Sequence, residues 1–265
     1  MHRCLCMAVF AYHEDTSMDL SLWAKTSGTW INIATIVLGT GLGLLLRGRL
    51  PERMQRVIMQ SLGLVTLFIG VSMAGSMGKG GAGVVDGVIL GLVTLVVGGV
   101  LGEWWRIEER LAGLGDWIKA RVRGNGPFTE GFVAASLLFC IGPMTLIGAL
   151  NNGLSGDNKL LVIKAALDGL AAIALVSSFG IGAGFSTLVV LVYQGGVSLA
   201  AAGLATAIPE PASDPRILLV TGVGGLMVMG VGINLLELTR VRVASLLPAL
   251  PLAPLVWWIA SLIGT

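Results

Sequence analysis

Leu160-Leu-Val-Ile-Lys164-Ala-Ala-Leu-Asp168-Gly-Leu-Ala-Ala-Ile-Ala-Leu-Val-Ser-Ser178 decides the fold class. As a helix rising 1.5 Å per residue, the stretch nearly crosses the roughly 30 Å hydrocarbon layer of a bilayer. Only Lys164 and Asp168 carry charge within it. They stand at i and i+4, on one helical face and close enough to pair. Each would cost about 2.5–3.5 kcal/mol at mid-membrane on insertion scales, so both should face the bundle interior or a water-filled cavity.

Working outward, further apolar windows bounded by charges or Pro/Gly clusters fall at about 29–46, 57–77, 84–105, 130–150, 182–207, 216–237 and 243–263. Composition agrees: 55% of residues are apolar, 12% are charged and 39 are Gly, a balance with which a water-soluble domain could not clothe its surface. The expectation is an all-α polytopic transmembrane helical bundle of about eight spans, or seven if Pro248, Pro251 and Pro254 break the last. Residues 28–265 form one domain. Residues 1–27 read as a tail, poorly ordered or partly upstream of a true start at Met18.

Loop charge sets the orientation. Arg47, Arg49, Arg53 and Arg56 fall in the first loop, Arg106, Arg110, Lys119, Arg121 and Arg123 in the third, and Arg240 and Arg242 in the seventh. By the positive-inside rule these odd loops are cytoplasmic, which puts both termini of an eight-span chain outside. Within the third loop Trp104, Ile107, Leu111, Leu114 and Ile118 repeat at 3-4-3-4 spacing, which predicts a helix near 103–123, either interfacial or a continuation of span three. Glycines four apart, at Gly39/Gly43, Gly83/Gly87/Gly91, Gly98/Gly102 and Gly180/Gly184, predict close helix crossings. Gly63 to Gly70 in span two can be laid on Gly225 to Gly230 in span seven, which runs the opposite way, as an inverted repeat would.

Several chemistries are excluded. His2 and His13 lie in the tail, so no Ser/His/Asp set and no imidazole metal site can form in the membrane core. Cys4, Cys6 and Cys140 suit neither a disulfide framework nor a metal. Gly78-Lys-Gly80-Gly-Ala-Gly83 spells a dinucleotide fingerprint but follows a membrane span and no strand, so it is set aside. Scattered cations argue against nucleic acid. No enzyme and no cofactor are expected. The expected partners are the lipid bilayer and a small solute or ion, with a homo-oligomer left open.

The candidate site is built from polar groups inside apolar spans. Lys164 and Asp168 anchor it. Gly142-Pro143 near the middle of span four predicts a helix break, because Pro143 lacks a donor. Tyr193-Gln194-Gly195-Gly196 predicts a second weakened helix at the centre of span six. Asn32 in span one, Gln60 in span two and Asn234 in span seven add amides, and Glu103 and Glu237 lie near the cytoplasmic boundary, within reach of water. Broken helices beside a charged span offer backbone dipoles to a solute. The leading expectation is a transporter or channel in which Lys164 and Asp168 bind or exchange protons and carbonyls around Gly142 and Gly195 coordinate. The alternative is a non-transporting structural or regulatory protein that binds a partner through its cytoplasmic loops.

Gly102-Glu-Trp-Trp-Arg-Ile-Glu108, the run Glu130 to Met144, Gly153-Leu-Ser-Gly-Asp157, Lys164-Ala-Ala-Leu-Asp168-Gly, Tyr193-Gln-Gly195 and Asn234-Leu-Leu resemble, in order, the bacterial family catalogued as domain of unknown function 554. The resemblance runs from about Gly28 to Pro254. It implies a multi-spanning protein of the bacterial inner membrane and no particular activity. Two positions depart from the family pattern: Asn152 stands where an acid is expected before Gly153, and Ser245 where an Asn is expected before Leu-Leu-Pro.

Overall fold

A computed structural model describes residues 21–263 apart from Gly48, Leu50, Asn125 and residues 206–212. The tail to residue 20, with its two histidines, Cys4 and Cys6, lies outside the described residues, as does Glu210 of the sixth loop. The chain is helical: α1 (Leu22–Leu46), α2 (Glu52–Ala74), α3 (Gly87–Trp104), α4 (Ile107–Arg121), α5 (Phe128–Cys140), α6 (Pro143–Ser155), α7 (Lys159–Phe179), α8 (Thr187–Ala205), α9 (Pro215–Leu235) and α10 (Ala249–Ile263). Short 3-10 turns extend α2 over Gly75–Lys79 and lead into α8 and α10 over Ile181–Ser186 and Val243–Leu246.

Seven segments are long and apolar enough to cross a bilayer, and their lipid faces carry Leu38, Phe68 and Val192 at 68%, 75% and 76% exposure. The eighth crossing is α5 and α6, bent by 59° at their junction. Its contacts make it one broken span. Phe128, at the start of α5, packs on Gly182, at the Gly180 turn between α7 and α8. Asn152, near the end of α6, reaches Ala24 at the start of α1, on the opposite face. The crossing in two pieces is thus the fourth, whereas the proline-rich last one spans intact as Val243–Leu262. Pro248 precedes α10 and Pro251 falls in its first turn, where an amide hydrogen is not needed.

The basic loops gather on one face. The Arg47 guanidinium lies over Gly126 and Gly180, tying the first loop to the third and fifth. Gly180 sits at φ +85, which a residue with a Cβ would adopt only under strain, and that Cβ would displace Arg47. Arg242 of the seventh loop pairs with Glu103 at 2.6 Å and with Glu109. The helices that start on the other face begin with polar caps: Ser21 accepts from Ala24 N, Asp86 from Val88 N, Asp157 from Lys159 N and Asp214 from Arg216 N. Partial burial pushes the Asp214 carboxyl up, but hydrogen bonds from Arg216 outweigh it and hold the group below its ordinary value.

Glycine contacts give the pairing. Gly39 and Gly43 of α1 admit Gly169 and Val176 of α7, and the two helices run parallel. Spans two and seven run antiparallel with reciprocal contacts: a methyl on Gly63 would meet the Gly232 oxygen at 3.3 Å and one on Gly232 the Gly63 oxygen at 3.1 Å, while Gly70 and Gly225 approach each other's oxygens to 2.8 and 2.7 Å. Span one likewise packs antiparallel on span six, where Thr29 meets Gln194 and Thr40 meets Gly184, and span three on span eight, where Gly98 meets Ala249 and Gly102 meets Ser245. Spans two and seven alone show these reciprocal glycine approaches, at the segments whose sequences can be laid on one another. A methyl on Gly102 would overlap the Ser245 carbonyl oxygen, whereas Gly41 faces open space. Gly102→Ala should therefore cost about 1–3 kcal/mol, seen as a lower Tm in detergent, while Gly41→Ala leaves Tm level or raises it.

Candidate functional site

Three spans bring polar side chains to one level near their midpoints. Lys164 and Asp168 of α7 form the expected ion pair, with 8% and 10% of their side chains accessible. Asn32 of α1 donates from Nδ2 to Asp168 Oδ2 at 2.9 Å and to Gln194 Oε1 of α8 at 3.1 Å. Gln194 Nε2 in turn donates to Thr29 Oγ1 at 3.3 Å. Asn32, Gln194 and Thr29 are fully buried. Asp168 is therefore held from two neighbouring helices through a chain of side-chain hydrogen bonds.

This arrangement uses the membrane's rules. An unpaired charge in the bundle would be expensive, so the ammonium and carboxylate meet, and the amides satisfy further lone pairs. The satisfaction is incomplete. Among the described residues Asn32 Oδ1 is buried without a partner, as are the hydroxyls of Ser136, Ser178 and Ser198.

The predicted break in span four lies beside the pair. α5 ends at Cys140 and α6 starts with Pro143 at its N-terminus, Gly142 serving as N-cap. Leu137 O accepts from Ile141 N and Phe139 O from Thr145 Oγ1, which leaves the carbonyls of Leu138 and Cys140 without a helical donor. Cys140 lies within electrostatic range of both Lys164 and Asp168, so the negative end of the α5 dipole is close to the pair. Tyr193 and Gly142 line a small cavity of about 20 Å³ on the other side of the break.

Two expectations fail. The helix is not broken at Tyr193-Gln194-Gly195-Gly196: α8 runs through it, with Gly195 buried near Thr29. The Gly195 region therefore keeps its carbonyls in the helix and offers none to a solute, because lipid provides no other partner for them. Asn234 does not join the site either. It clamps the seventh loop, donating to Val241 O at 2.8 Å and accepting from Val241 N at 2.7 Å.

The sequence missed a larger feature. A cavity of about 880 Å³ opens on the basic face, between Arg56 and Gln60 of α2, Glu130 and Leu137 of α5, and Arg240. From Thr129 to Leu137 it follows α5 for roughly 12 Å, ending about one turn short of Cys140. Its rim carries α4, within the stretch expected at 103–123, with Trp117 exposed on it and Trp104 exposed at the end of α3 just before it. There the backbone amide of Glu109 and then Arg242 hold the Glu109 carboxyl below its ordinary value, and Glu109 in turn raises Arg242.

Asn152 was also undervalued. Its amide accepts from Gly28 N at 3.0 Å and donates to Ala24 O at 3.0 Å, a pair four residues apart that would bond each other in a regular helix. It thereby locks α6 to α1, which an acid in its place could not do, since a carboxylate lacks the donor for Ala24 O. Ser245 donates to Glu103 Oε2 at 3.2 Å. Among the described residues no three His, Cys, Asp or Glu side chains gather as a metal-ligand set.

Comparison with known proteins gives a family. The sequence model of the family described as Protein of unknown function (DUF554) matches residues 27–258. The chain is 29% identical to the uncharacterized membrane protein YdfK of Bacillus subtilis, over 89% of this chain and 98% of that protein. It is 29% identical to the uncharacterized protein YqgA of Escherichia coli, over 85% and 94% respectively. No solved structure matches it significantly.

Proposed function

The chain belongs to the DUF554 family of membrane proteins, and on that premise we propose that it is a transporter or channel for a small solute or ion. The observation that carries the reading is the Lys164–Asp168 pair, buried between α1, α7 and α8 beside the broken fourth span. Charges at this depth are costly and mark solute, ion or proton paths in membrane bundles. A site at mid-membrane next to a discontinuous helix and between inverted elements is the arrangement by which transporters offer a solute to alternate faces. The cavity supplies an approach from the basic face. The positive-inside rule supports reading that face as cytoplasmic, with both ends of the described chain outside, in a bacterial cytoplasmic membrane. The reading requires no covalent step and no cofactor.

Purified protein in liposomes, assayed for flux across a panel of ions and small metabolites, is expected to move at least one of them. Asp168→Asn and Lys164→Met should each lower that flux at least tenfold. Unchanged flux in both variants would remove the site.

The exposed Trp104, Trp105 and Trp117 around α4 favour a second reading, a membrane protein that engages a partner on its cytoplasmic face. Deleting 103–123 would then abolish function in cells while the flux in liposomes persists.

A further inference from the structure

The ion pair is not symmetric in how it is held. Asp168 is fixed by Asn32, which is fixed by Gln194, which is fixed by Thr29. Lys164 has Asp168 as its one hydrogen-bond partner among the described residues, at the end of a flexible four-carbon arm. The carboxylate is anchored and the ammonium is tethered.

The other groups around the pair also favour positive charge. Asn32 Oδ1 is a buried acceptor with no donor. Asp168 has a second oxygen that meets no donor among the described residues, since Lys164 and Asn32 both meet Oδ2. Cys140, the last residue of α5, lies within electrostatic range of both charges, so the negative end of that helix dipole is on this side. Unlike Asn32 and Gln194, the pair retains some accessible surface.

We infer that Asp168 and Asn32 form a site for a monovalent cation, in which the Lys164 ammonium is a tethered occupant that a free cation displaces. This rests on reading the pair as a solute site and names the class of solute: an inorganic monovalent ion or a small primary ammonium. On displacement the ammonium swings from Asp168, and the incoming charge takes its place against the carboxylate and the Asn32 oxygen. No bond is made or broken. An anion held by Lys164 is the opposite arrangement, and the same experiment separates the two.

The test is binding to purified protein in detergent, by isothermal calorimetry and by Tm, with Na⁺, K⁺ and methylammonium titrated against choline, and with chloride, acetate and phosphate titrated as anions. The wild-type chain should be stabilised by at least one cation and be indifferent to the anion. Lys164→Gln removes the tethered competitor and should tighten cation binding at least tenfold. Lys164→Arg, whose guanidinium can grip the carboxylate through two hydrogen bonds, should weaken it. Asp168→Asn should abolish it. The Arg variant preserves the charge balance of the bundle, so the two Lys164 changes test opposite signs even where the Gln variant fails to fold. Anion binding that Lys164→Gln abolishes, or cation binding that survives Asp168→Asn, would overturn the inference. Cation binding with no flux of any solute would instead leave this site standing and remove the transport reading.

Discussion

Lys164→Met is expected to lower the unfolding free energy by about 3–5 kcal/mol, and adding Asp168→Leu to return most of that loss. The single change leaves a carboxylate buried among α1, α7 and α8 with Asn32 as its one remaining hydrogen-bond donor among the described side chains. An isolated buried charge costs far more than a pair, whereas two apolar side chains of similar volume restore a dry interior. Unfolding in mixed micelles, followed by circular dichroism for the wild type, both single variants and the double variant, gives the coupling directly. A single-variant loss under 1 kcal/mol would mean that water already solvates the carboxylate. The double variant also separates two roles: a stable protein that moves no solute would assign the charges to transport and not to holding helices together.

The second large effect concerns sidedness. In a chain with Cys4, Cys6 and Cys140 replaced by Ser, Ala134→Cys should react with a membrane-impermeant maleimide at least tenfold faster from the cytoplasmic side, because Ala134 lines the cavity that opens on the basic face. Val84→Cys, in the loop after α2 on the opposite face and 88% exposed, should show the reverse. Labelling of oriented vesicles, inside-out against right-side-out, reads both. The reversed pattern would invert the topology. Slow reaction of Ala134→Cys from either side would mean that the cavity is filled by lipid or by protein.

Much of the fold was legible because a bilayer imposes so strict a constraint on apolar length. The observed helices track the apolar windows, and the break at Gly142-Pro143 falls where a missing donor required it. The exceptions have physical causes. α1 begins at Leu22, ahead of the window at 29, because the hydroxyls of Thr26 and Ser27 bond back to Leu22 O and Ala24 O and so fit a helix despite their polarity. Gly195 and Gly196 weaken a helix in water by about 1 kcal/mol each, yet in the bundle α8 continues through them, since an opened backbone there would go unbonded.

The site was legible in its residues but not in its pairings. Lys164, Asp168, Asn32 and Gln194 could each be picked out as polar groups in apolar spans, and the i, i+4 spacing paired the first two. Which faces of α1 and α8 turn toward α7 depends on where small residues let backbones approach, as at Gly39 against Gly169. The same polarity signal also selected Asn234, whose role is local to its loop. Asn152 gave only an unexplained departure from a family pattern, and a cavity formed between five helices leaves no signal in any one of them.

The three antiparallel pairs have a further meaning for how this chain is organised. Spans one to three each pack antiparallel on one of spans six to eight, span five packs parallel on span one, and the broken span four lies among them. The fractured helix and the two buried charges among the described residues fall in residues 128–179. On the transport reading, the outer six spans would supply the walls and the amide braces of Asn32 and Gln194, and residues 128–179 the charged centre. Sequence drift should follow the same division, with compensating exchanges across the paired walls and little latitude in residues 128–179.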